Sequence, residues 1–217
     1  MSKFPKISFG IFKWSGSSEI IQETKGLCDA GLAHMTYFYC DFRDSKKQQV
    51  SGLLASLVAQ LSAKSDAFQN ILTTVYSECD GGSRQPSNSE LTNCLEKMLN
   101  LEGQPPVYII IDGLDECPGE SDQEYPRERV IQQVEKLVNL HLPNVRVCVT
   151  SRPESDIQDA FTSLASHTIS LHNERGQEKD IADYVRHTVY SDRKMEKWRE
   201  EDKEMVIGIL SQKADGM

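Results

Sequence analysis

Asp112, Asp115 and Glu116 stand together in VYIIIDGLDECPG, residues 107–119, directly after an apolar run. Further on, TSRPE at 150–154 adds Arg152. Acids this close repel one another unless a cation or a charged substrate offsets them, so the cluster points to a bound cation. A plainer reading makes Asp112 and Asp115 turn residues, each bonding its own backbone in a loop that holds Gly113 and Pro118.

The elements that must position these groups follow from apolar patterning. The run from Val107 to Ile111 is short and rich in β-branched side chains, which suits a strand buried on both faces of a parallel sheet. Asp112 then lies at the strand's carboxyl end, where open α/β sheets bind ligands. VRVCVT at 145–150 reads as a second buried strand, HTISL at 167–171 as a third, and MTYFYCDF at 35–42 as an aromatic strand. Between them, apolar positions recur at three and four residues through Val50–Leu61, Phe68–Tyr76, Leu91–Leu99 and Val130–Val138, which predicts amphipathic helices. Asp44 or Ser45 is an N-cap candidate, and Ser87 with Glu90 reads as a capping box. Two more helices are expected around Ile181–Val189 and Trp198–Leu210. Strands separated by helices imply a parallel sheet covered on both faces.

At 217 residues, one α/β domain is expected. A formal net charge of -9 and the lack of a basic stripe disfavour a nucleic-acid partner. No apolar run approaches the ~20 residues of a membrane span. The amino terminus lacks a secretory signal pattern, so a cytoplasmic protein is expected. Six cysteines, widely scattered without a C-x-x-C pair, read as free and mostly buried thiols. Paired zinc-hydrolase histidines and a G-x-S-x-G elbow are both missing from the sequence.

The combination of YFYCDFRDSKKQ (37–48), GLLASLVAQL (52–61), YIIIDGLDECP (108–118), VRVCVTSRPE (145–154) and DIADYV (180–185) resembles the NACHT family of signalling P-loop NTPases, and within it the nephrocystin-like modules of filamentous fungi. The resemblance implies a three-layer P-loop NTPase-like parallel sheet with helices on both faces. It matches Asp112 to the Walker B aspartate that holds Mg2+ at the phosphates of ATP or GTP. Asp115 and Glu116 match the acids that orient or deprotonate the attacking water, and Arg152 matches the arginine that senses the γ-phosphate. Hard oxygen ligands suit Mg2+, and a permanently charged planar guanidinium suits a phosphate.

The family also requires G-x-x-x-x-G-K-[ST]. The best remnant is IFKWSGSS, residues 11–18, with Gly16 and Ser18 at the second glycine and the Ser/Thr position. Ile11 then replaces the first glycine and Ser17 the lysine. A β-branched residue resists positive φ, and a neutral hydroxyl does not balance phosphate charge. Residues 1–17 therefore read as a divergent segment replacing the phosphate-loop strand, and 18–217 as a partial NACHT domain. The sheet is incomplete at that strand unless Lys6–Phe12 fills the slot, since an empty slot would orphan buried backbone groups at about 1 to 3 kcal/mol each. Family members usually continue beyond Met217 into helical and winged-helix segments, so the chain reads as truncated.

Three functions are compatible with these residues. The first is a degenerate nucleotide-binding module, poor in hydrolysis, that binds full-length NACHT relatives or itself. The second is an active Mg2+-dependent switch in which Lys13 or Arg43 stands in for the missing lysine. The third is a plain α/β interaction domain.

Overall fold

The computed structural model describes residues 7–11, 16–119, 126–165, 167–170 and 177–213, with side chains for 21–119, 126–165 and 182–211. Elements follow in the order β1 (Ile7–Ile11), α1 (Gly16–Asp29), β2 (His34–Tyr39), α2 (Val50–Ser62), α3 (Asp66–Glu78), α4 (Asn88–Leu99), β3 (Val107–Asp112), α5 (Pro126–Asn139), β4 (Val145–Thr150), α6 (Ser155–Thr162), β5 (His167–Ser170), α7 (Gln177–Ser191) and α8 (Glu200–Lys213). They divide into two compact units, Met1–Ile169 and Ser170–Met217.

In the first unit the strands form one sheet in the order β2-β3-β4-β1-β5. The pairs β2–β3, β3–β4 and β4–β1 are parallel. Ile109, Ile110 and Ile111 are consecutive and all buried, so both faces of β3 are covered. Each such side chain contributes about 1.5 to 3 kcal/mol of burial. β1 takes the interior slot between β4 and β5, with Ile7 opposite Val147 and Gly10 opposite Thr150. The slot that the sequence left open is thus filled from within the Lys6–Phe12 segment.

α2 is the centre of the helical layer against β2, packing on α3, α4 and α5. Leu53, Leu54, Leu57 and Leu61 are fully buried, as their three- and four-residue spacing predicts. Ser65 caps α3 by accepting the Phe68 amide. Ser87 and Glu90 form the expected capping box on α4, and Arg84 adds two bonds to Glu90 at 2.9 and 2.7 Å. β2 is an edge strand, and Gln60 of α2 covers part of its outer edge. Its side chain accepts the Tyr37 N–H at 3.0 Å and donates to the Tyr37 carbonyl at 2.7 Å, occupying groups that another strand would seek.

One strand end and two helices depart from the sequence reading. β2 stops at Tyr39 rather than Phe42, because Asp41 turns the chain by accepting the Arg43 amide at 2.9 Å. α6 was not anticipated: only Ile157 and Phe161 mark its eight residues, although both are fully buried. α1 was likewise missed, since its sequence GSSEIIQETKGLCD shows no sustained apolar stripe.

The second unit is the helix pair α7 and α8. Val189 and Ile207 are buried in it. A polar network joins the helices: Arg186 to Glu204 at 3.0 Å, and Tyr190 to Glu200 at 2.6 Å and to Glu204 at 3.2 Å; within α8, Lys203 holds Glu200 at 3.1 Å.

Candidate functional site

Strand register puts the ends of four strands in one row. Tyr39 pairs with Asp112, Ile111 with Val149, and Thr150 with Gly10, so Asp112 and Thr150 lie level with each other and with the end of β1. Asp112 and β1 are separated only by β4, which is about 10 Å at the usual ~4.8 Å between strands. β1 ends at Ile11 and α1 begins at Gly16, so Gly16 and Ser18 lie in the first turn of a helix that starts above the same end of the sheet. Helix first turns carry amide groups without intrahelical partners.

Thr150, 1% exposed, forms the floor of this row. Its hydroxyl donates to Asp112 Oδ1 and accepts the Gly113 N–H at 3.1 Å. Gly113 has φ +68, a left-handed conformation that turns the chain sharply out of β3 into the 3-10 turn Leu114–Glu116. Leu114 is fully buried and anchors that turn.

The turn aims its two acids in different directions. Asp115 Oδ1 accepts the Arg152 backbone N–H at 2.9 Å, and Oδ2 lies 3.3 Å from Arg152 Nε. Glu116 Oε2 accepts the Phe42 N–H at 3.3 Å, reaching the loop after β2. The reading of Asp112 and Asp115 as residues bonding their own turn is therefore corrected: their bonds reach β4 and the loop that follows it. The electrostatic offset for Asp115 is also supplied within the chain, by Arg152.

Arg43 does not stand in for a missing lysine. Its Nε and Nη2 bond Asp41 at 3.0 and 3.2 Å, and those bonds hold the Asp41 carboxyl below the usual carboxylate range. It also follows β2, three strand positions from β1, or about 14 Å. Lys13, the other substitute considered, lies outside the described residues.

Among the described residues no group of three or more metal-ligating side chains occurs. One carboxylate at a strand end nevertheless fits Mg2+, which takes one or two carboxylates and fills its remaining positions with water and phosphate oxygens. Asp112 is the carboxylate at the end of β3, and Thr150 orients its Oδ1. The cysteines are all free thiols, with Cys40, Cys79, Cys94 and Cys117 buried. A hydrogen bond with Cys117, reinforced by burial, pushes the Cys40 thiol up.

Sequence reasoning missed Thr150 and Arg127. Thr150 was visible as a hydroxyl at the end of a buried strand, but its place level with Asp112 depended on the pairing of β3 with β4. Arg127, on α5, donates to the Asp115 and Cys117 carbonyls at 2.8 Å each; nothing in its local sequence distinguishes it from Arg129.

Solved structures give the fold a class. The chain is similar to the Aeropyrum pernix ORC1 protein in complex with DNA, at 12% identity and a TM-score of 0.50, over 84% of this chain and 44% of that one. It is also similar to the Aeropyrum pernix ORC2 protein in ADPNP–ADP complexes, at 10% identity and a TM-score of 0.46, over 83% and 44%. Drosophila ORC bound to DNA matches at 11% identity and a TM-score of 0.40, over 97% and 49%. The first likeness, with the strand order, gives the chain a P-loop NTPase-like α/β fold. The sequence model of the family described as Nephrocystin 3, N-terminal, matches residues 9–152, well over half of the chain. The chain belongs to that family. The match spans both the Ile11–Ser18 stretch and Arg152. The chain covers less than half the length of the ORC proteins it matches. No curated protein matches it. Among the described residues no helix is long and apolar enough to cross a membrane.

Proposed function

We propose that this chain is a degenerate NACHT nucleotide-binding module of a signal-transduction NTPase, retaining the Walker B and sensor half of its site and defective in ATP or GTP hydrolysis. Residues 1–17 are the divergent segment in the phosphate-loop position, and 18–217 the partial NACHT domain. The observation that carries the reading is the alignment of Asp112, Thr150 and the end of β1 in one row, with a helix opening at Gly16 and a serine where the lysine belongs.

In this reading Asp112 holds Mg2+, which when bound neutralises phosphate charge. Thr150 fixes the Asp112 carboxylate, Gly16 and Ser18 supply the helix end facing the phosphates, and Arg152 monitors the terminal phosphate while Asp115 holds its backbone. Ser17 supplies no cation, so phosphate binding is weak and turnover fails. The module then acts by association, with full-length NACHT relatives or with itself. Steady turnover of ATP or GTP by the purified chain, with micromolar affinity, would refute this.

The satisfaction of Asp115 by Arg152 and of Glu116 by the Phe42 amide favours one alternative, a plain α/β interaction domain in which these acids are structural. That alternative predicts no change in thermal stability with Mg2+ and nucleotide, even after the lysine is restored.

A further inference from the structure

Arg127 stands in the first turn of α5, and its side chain is only 12% exposed. Its Nε donates to the Cys117 carbonyl and its Nη2 to the Asp115 carbonyl, both at 2.8 Å. Its Nη1 faces Asp156 Oδ1 and Oδ2 at 3.3 and 3.2 Å, and Glu154 Oε2 at 4.0 Å. One guanidinium therefore grips the acid-bearing turn after β3 with two bonds, and the segment after β4 through the acids at the start of α6. Between those two segments lies the Asp115–Arg152 contact.

We infer that Arg127 is a positioning residue, a strut that fixes the turn carrying Asp115 and Glu116 against the loop carrying Arg152. The chemistry requires arginine. Two diverging carbonyls and a carboxylate need donors from three nitrogens in one rigid plane, and a lysine ammonium is a point charge without that fork. Gly119 marks how closely the turn closes over it: a Cβ there would lie 3.2 Å from Arg127 Nη1. The functional importance of the strut rests on the nucleotide-site reading above, whereas the geometry it enforces does not.

Hydrogen exchange of the nucleotide-free chain tests the inference, so a chain that binds no nucleotide still gives a readable result. In Arg127→Lys, exchange at the Arg152 amide and at the Glu116 and Cys117 amides should rise by ~10-fold or more, while α2 and α4 keep their protection. Asp156→Asn, which leaves the two carbonyl bonds in place, should produce a smaller rise confined to the same amides. Unchanged exchange at Arg152 in Arg127→Lys would overturn the inference. A uniform rise throughout the unit would overturn it too, by making Arg127 a general stabiliser rather than a local strut.

Discussion

Asp115 meets Arg152 through two different groups: the backbone N–H at 2.9 Å and the guanidinium Nε at 3.3 Å. The two contacts differ in worth. The Asp115 side chain is 11% exposed and that of Arg152 is 74% exposed, so the guanidinium half is screened by water. Exposed pairs of this type contribute about 0.2 to 1 kcal/mol, whereas a hydrogen bond to a charged group contributes about 1.5 kcal/mol or more. Asp115→Ala should therefore destabilise the chain by about 1.5 kcal/mol in urea denaturation, and Arg152→Ala by less than about 1 kcal/mol. Equal losses would mean that the guanidinium, and not the amide, is what Asp115 holds.

Thr150 gives a sharper contrast between near-isosteres. Valine keeps the volume but removes the hydroxyl that serves Asp112 and the Gly113 amide. Leaving such groups without a partner costs about 1 to 3 kcal/mol. Serine keeps the hydroxyl and loses one methyl group, worth about 0.8 kcal/mol. Thr150→Val should be the more destabilised of the two by chemical denaturation, and the reverse order would remove Thr150 from the site's support.

Gly113 tests the turn that carries Asp115 and Glu116. An added Cβ would meet nothing nearer than 3.6 Å, so the site has room for it. The φ of +68 remains, and a left-handed conformation costs a non-glycine residue about 1 to 2 kcal/mol. Gly113→Ala should lower stability by that amount, as read from the midpoint of thermal unfolding; an unaffected midpoint would show that the turn relaxes freely.

The helix pair α7 and α8 should carry a signature at high pH. Hydrogen bonding to Glu200, then burial and the bond to Glu204, push the Tyr190 hydroxyl up to about 12. Because the folded value lies above the ordinary tyrosine value near 10, its stabilising contribution is fully present below about pH 10 and is lost as pH rises from there toward 12. Phenolate absorbance should resolve a tyrosine titrating near pH 12 in the natural chain, and Tyr190→Phe should remove that step. Retention of that late step in Tyr190→Phe would assign it elsewhere.

Legibility from sequence followed the physics of each element. β3 and β4 were bounded correctly because dense β-branched runs are short and unambiguous; the buried face of α2 was legible from five apolar residues, but its start was not, since Asp44 caps the 3-10 turn Ser45–Gln48 and α2 begins only at Val50. The Ser87 capping box was readable because its chemistry is local. α6 was not legible, since two buried residues four apart are too little signal for a period. Contacts between distant segments were equally hidden: Arg127 lies ten residues from Cys117 and 29 from Asp156, and only the fold brings them together. The crowding of Asp112, Asp115 and Glu116 was visible in the sequence, but their partners depended on β3 and β4 being neighbours in register.

The most direct test of the nucleotide-site account is the melting temperature with and without Mg2+ and ATP or GTP, for the natural chain, for Ile11→Gly/Ser17→Lys, and for that double variant with Asp112→Ala added. A ligand at 100 times its Kd stabilises by about 2.7 kcal/mol, or roughly 5 to 11 °C at about 2 to 4 °C per kcal/mol for a chain of this size. The account predicts a shift below about 2 °C for the natural chain, a shift in that larger range for the double variant, and its loss on removing Asp112. A large shift in the natural chain, or one in the double variant that survives Asp112→Ala, would contradict it.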